Sequence, residues 1–128
     1  MSEKEDFHNI RGYVDRLMRS GDESAFLIIT ISGSEDFLQL TGDAKGVQLD
    51  FPMITDRQQS LESMIREIAW REGRTIEENQ GDGGDRFLDI SVEGTPTEVA
   101  ANCERFLRDV FGAGEDAELI FEHDGLAV

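Results

Sequence analysis

The sequence predicts an α+β domain in which helices pack on an antiparallel sheet, with the element order α-β-β-β-α-β-β-α-β. Three observations carry this prediction. Three segments repeat apolar residues at helical spacing. Six others are short apolar runs or apolar-polar alternations bounded by Gly, Asp and Pro. The connections between successive strands are too short for parallel crossovers, so neighbouring strands must run antiparallel. At 128 residues the chain suits one domain, 1–128, with 1–6 and 123–128 expected to fray.

The first helix is expected over 2–19. Phe7, Ile10, Val14, Leu17 and Met18 form one stripe, Ser2 with Glu5 offers a capping box, and Gly21 a stop. The first strand follows at 23–32, and its centre, Ala25 to Ile31, is the most apolar run of the chain. Side chains alternate along a strand, so Phe26, Ile28 and Thr30 point one way and Leu27, Ile29 and Ile31 the other. Both faces therefore call for cover. The amphipathic helices cover one; the first helix or a second subunit is expected to cover the other.

Gly33-Ser34-Glu35 turns the chain into a second strand over 36–41, and 42–46 turns it into a third, where Val47, Leu49 and Phe51 alternate with polar residues up to Pro52. Thr55 and Gln58 open a second helix that runs to Gly73, with Leu61, Met64, Ile65, Ile68 and Ala69 on one face. A hairpin follows. Its first strand, 74–80, holds only Ile76 and suits an edge; its second, 86–93, faces Leu88, Ile90 and Val92 inward. Thr95-Pro96-Thr97-Glu98 is the clearest helix start, and Val99, Cys103, Phe106, Leu107 and Val110 form the stripe behind it. A last short strand is expected over 117–122.

Charge narrows the function. With 28 acidic against 12 basic residues the formal net charge is −16, which repels phosphate backbones and anionic membrane surfaces and favours basic partners. The acids are scattered rather than clustered, unlike the dense arrays of phosphate mimics. No apolar run reaches the length of a membrane span, the charged first residues do not read as a signal peptide, and the lone Cys103 excludes an internal disulfide. A cytoplasmic protein is the expectation, with no nucleic-acid and no membrane partner.

No catalytic, metal or cofactor constellation is legible. His8 and His123 lack partners at metal-ligand spacing. Cys103 lies on a buried stripe, where a thiol behaves as a small hydrophobe. Ser32-Gly33-Ser34 lacks the nucleophile-elbow pattern, and the glycine-rich turns at 42–46 and 81–84 lack a phosphate-loop ending. Asp82 and Asp85 with Glu77 and Glu78 support no more than adventitious cation binding, because the EF-hand spacing is absent.

Trp70 falls just beyond the inward stripe of the second helix, and Phe37 and Phe87 lie out of phase with the main apolar set of their strands. Together with Ile29 they are the candidate protein-interface residues, since a tryptophan at a patch centre is a frequent interface anchor.

In element order and acidity, the meander from Ala25 to Phe51, the helix from Thr55 to Glu72, the hairpin around 81–84 and the helix from Pro96 to Phe111 resemble the fold group of type III secretion chaperones and YbjN-like proteins. The resemblance implies a homodimer built through the second helix and nearby strands, and a non-enzymatic role in which apolar patches hold a client segment. The extra strand at 117–122 departs from that element order. A small enzyme or ligand-binding domain with a pocket between sheet and helices, and an acidic inhibitor or immunity-type protein, are the alternatives.

Overall fold

The computed structural model describes residues 5–43 and 45–128. A 3-10 turn at Phe7–Asn9 leads into α1, Ile10–Arg19. The meander is β1 (Phe26–Ile31), β2 (Phe37–Asp43) and β3 (Gly46–Pro52). Then come α2 (Asp56–Ser60) and α3 (Glu62–Arg71), the hairpin β4 (Ile76–Gln80) and β5 (Arg86–Glu93), α4 (Pro96–Asp109) and β6 (Leu119–Asp124). The six strands form one antiparallel sheet in the order β4-β5-β3-β2-β1-β6. The expected α+β architecture is what the chain adopts.

Local chemistry accounts for the helix boundaries. Thr95 accepts from the Glu98 amide while Glu98 accepts from the Thr95 amide, closing the expected capping box in front of Pro96. Thr55 and Gln58 do the same for α2. The expected Ser2 cap lies outside the described residues; the cap that is seen is Asp6, which pairs reciprocally with Asn9. The single helix expected over 55–73 is two. Ser60 donates its hydroxyl to the Arg57 carbonyl at 2.6 Å, the acceptor that the Leu61 amide would use in an α-helix. The Leu61 amide turns instead to the Gln58 carbonyl, and α2 gives way to α3 there.

All the helices with buried stripes share one side of the sheet. Ile10, Val14 and Leu17 of α1, Ile65, Ile68 and Ala69 of α3, and Val99, Cys103, Phe106 and Leu107 of α4 meet Leu27, Ile29, Leu38, Leu40, Leu49, Leu88, Ile90 and Val92 in one core. Phe51 tilts against Phe106 at 5.4 Å between ring centres. Met64, expected in the stripe of the second helix, is instead exposed, because it lies about 100° round α3 from Ile65, on the flank of the buried face.

β6 pairs with β1 along its whole length, from Phe26 opposite Asp124 to Ile31 opposite Leu119. Glu5 in turn bridges to Leu119. Tyr13 of α1 stacks on Phe121 at 4.3 Å and donates to Glu5. The last residues, expected to fray, are tied to α1: Ala127 donates its amide to Arg16, whose Nε donates back to the Ala127 carbonyl. Ser20 donates to the carbonyl of Gly125.

Candidate functional site

The strand register builds the open side of the sheet. Phe26, Ile28 and Thr30 of β1 share that side with Thr41, Gln39 and Phe37 of β2. On the other edge they stand opposite Asp124, Glu122 and Ile120 of β6. The same parity continues through Gln48 and Asp50 to Pro52 of β3, opposite Ser91, Asp89 and Phe87 of β5. Among the described residues no helix lies over these side chains. The residues of β1 that point this way are half-buried, whereas Ala25, Leu27 and Ile29 are buried.

Same-face residues sort into rows that cross the strands. One row is apolar: Phe87, Pro52, Phe37, Thr30 and Ile120. The next row, one step along the strands, is largely acidic: Glu77, Asp89, Asp50, Gln39, Ile28 and Glu122. At its centre Asp50 stands directly opposite Asp89, and burial together with that neighbouring carboxyl pushes the Asp50 carboxyl up to about 7. Asp50 Oδ1 is shielded from solvent without a partner. Asn79 donates to Asp89 from the other side.

The apolar row runs into a cleft of about 230 Å³ at the end of the sheet. Phe37 and Pro52 belong to both; Phe51, Met53, Leu61, Ile65 and Phe111 complete the apolar lining. The break at Leu61 contributes that residue to the wall. Most of the polar groups at the rim already satisfy one another, with the exposed Glu35 standing beside them. Arg57 makes a two-pronged ion pair with Asp36 at 2.9 and 3.2 Å, and Thr55 and Gln58 are occupied by their capping box. The volume lies below the roughly 300–1,000 Å³ of small-molecule pockets, and suits a single anchoring side chain.

The candidate interface residues separate into three environments. Phe37 and Phe87 fall in the same apolar row, Phe87 with its ring against Gly81. Trp70 is 81% exposed, on α3 and away from the sheet face. Ile29 is corrected: it is fully buried beneath the helices, because it shares its face with Leu27 and Leu38, and it is not available to a partner. The uncovered face of that strand belongs to Phe26 and Ile28. Pro52, Thr30 and Ile120 were not singled out from sequence. Ile120 alternates with Leu119 and Phe121 and so carried a signal; Pro52 gains its place only through the β3–β5 register.

Residues that suggested chemistry are placed as follows. Cys103 is buried, and desolvation pushes its thiol up to about 12, far from a nucleophile's range. His8 is exposed beside Asp6, and the exposed His123 leans on Tyr13. Glu78 is held by Arg66 and Arg86. The side chain of Asp82 lies outside the described part of the structure. Among the described residues no three His, Cys, Asp or Glu side chains are grouped to hold a metal ion, and no helix is long and apolar enough to cross a membrane. Compared with protein-family models, curated proteins and solved structures, the chain matches none.

Proposed function

We propose that this chain is a non-enzymatic protein-binding module, chaperone-like or regulatory, that works through its open sheet face. One observation carries the reading: the apolar row from Phe87 to Ile120 lies uncovered and leads through Phe37 and Pro52 into an apolar cleft the size of one side chain. A partly exposed row of mainly apolar side chains, rimmed by polar residues and ending in the exposed Ile120, fits a protein interaction site. The closed pairing of Arg57 with Asp36, and of Thr55 with Gln58, favours this reading over small-molecule chemistry at the same place. A reducing compartment such as the cytoplasm fits the lone buried thiol.

The test is capture from source cells by tagged wild type, Phe37→Asp and Ile120→Asp, read by mass spectrometry. A protein retained by the wild type and lost by both folded variants is the expected result. An identical set retained by all three overturns the reading.

Self-association is a second proposal, and its support is the exposure of Trp70 on α3, away from the sheet face. Sedimentation of a wild-type dimer at micromolar concentration that becomes monomer in Trp70→Asp is the expected outcome. A wild type that sediments as a monomer overturns it.

A further inference from the structure

We propose that the open sheet face receives a cationic amphipathic segment of another protein, an apolar stripe flanked on one side by lysine or arginine. This rests on the docking role proposed above and names the chemistry of the partner. The observation behind it is an uneven distribution of counter-charge over the two sides of the sheet. On the helical side many carboxylates have a basic neighbour on the same element or the next: Asp15 has Arg19, Glu62 has Arg66 and Arg86, Glu67 has Arg71 and Glu104 has Arg108, although Asp56 of α2 forms no such pair among the described residues. On the open side, none of the described arginines forms an ion pair with Glu77, Asp89, Asp50 or Glu122. Arg74 reaches the margin, lining a polar recess with Glu77 and Asp89, and its Nε is shielded without a partner.

Covering this face therefore has a charge requirement. An apolar or acidic partner would strand the carboxylates of the acidic row without counter-charge, at a high desolvation cost. A second copy of this chain laid on the same row brings acid against acid, which disfavours that occupant. A partner bearing cations supplies what the face lacks and is also steered towards it. The geometry sets where those cations belong. Successive same-face residues of a strand stand about 7 Å apart, so the acidic row runs beside the apolar row at that offset. A helix about 10 Å across presents an apolar stripe and one charged flank at comparable separation. The side-chain-sized cleft at Phe37 and Pro52 then accepts an apolar residue of the stripe.

The experiment uses the full chain and three labelled peptides of about 15 residues, long enough to form a helix. The first has a leucine stripe flanked by lysine, the second the same stripe flanked by glutamate, and the third is a scramble of the first. Binding is read by fluorescence anisotropy, with circular dichroism confirming that each protein variant is folded. The lysine-flanked peptide is expected to bind about ten-fold or more tightly than its scramble, and to weaken as salt rises. A loss of about ten-fold or more is expected on Ile120→Asp and on the double change Asp50→Asn with Asp89→Asn. Glu115→Gln, on the far side, is expected to leave affinity unchanged. Equal binding of lysine- and glutamate-flanked peptides, lost on Ile120→Asp, overturns the charge assignment and leaves the docking face standing. A scramble that binds as well as the first peptide, binding untouched by both Ile120→Asp and Phe37→Asp, or no binding at all, overturns the inference. Where Ile120→Asp and Phe37→Asp also retain every cellular partner, the docking role falls with it.

Discussion

Asp50 on β3 and Asp89 on β5 face each other directly across the open side of the sheet, and burial together with the facing carboxyl raises the Asp50 carboxyl. Facing carboxylates repel each other, which with burial favours the protonated form of Asp50. The pair stands beside the apolar row and has Glu77 and Gln39 as its neighbours across the strands. It therefore costs stability when fully ionised.

The sign of the pH dependence follows from that arrangement. The folded chain holds the Asp50 proton up to about 7, whereas the ordinary value is 3.8. Below the ordinary value both folded and unfolded chains are protonated and the group contributes nothing. Between the two values the unfolded chain releases its proton first, so stability falls as pH rises, and the loss is complete above the folded value. Asp50→Asn removes this titration. Urea denaturation should show the variant gaining on the wild type from pH 4 to pH 7 and holding a constant lead above that. A lead of about 1–2 kcal/mol is expected once solvent screening of a half-exposed carboxyl is allowed for.

Ile29 and Trp70 should respond in opposite ways to the same change. Ile29→Asp places a charge in a fully buried site and should cost about 3–5 kcal/mol, enough to unfold much of the protein. Trp70→Asp alters a side chain that is 81% exposed, and at concentrations where the wild type is monomeric its unfolding free energy should stay within about 0.5 kcal/mol of wild type. Equal destabilisation of both would contradict the separation of core and surface described above.

Two glycines make a sharper contrast. A Cβ at Gly46 would clash with the Val92 carbonyl oxygen, where β3 and β5 approach, so Gly46→Ala must displace a strand backbone. Gly12 is in α1 with open space around its missing Cβ. Gly12→Ala should raise stability by about 0.5–1 kcal/mol through helix propensity, while Gly46→Ala should lower it by about 2 kcal/mol or more. Thermal melts of the two variants decide this directly.

Cys103 should be inert in the folded protein. It is fully buried and its thiol is pushed up to about 12, so a thiol reagent at pH 8 finds neither access nor thiolate. Labelling is expected only at the rate of unfolding, and rapid labelling under native conditions would contradict the burial of α4 against the sheet.

Much of the fold was legible because its signals are local. The Thr95 box, the alternation in Val47, Leu49 and Phe51, and the stripe from Val99 to Val110 each depend on residues within a few positions of one another. The break at Leu61 escaped because it turns on one hydroxyl, Ser60, capturing one carbonyl, a choice that periodicity does not register. Phe37 and Phe87 could be flagged as out of phase, yet nothing local indicates that Pro52 joins them in a row.

What the sequence determined by itself is the set of elements, their antiparallel connections and the surplus of apolar and acidic surface. Ala25 to Ile31 was recognisable as a strand with two faces to cover. Only the tertiary structure decided that Ile29 faces the helices while Phe26 and Ile28 face outward. The same holds for the rows formed by Asp50 with Asp89 and by Phe37 with Phe87. The physical reason is register: a strand's alternation defines two sets of side chains, but which set is buried depends on where every helix returns to the sheet. Which residues become neighbours depends on pairings between strands far apart in the chain.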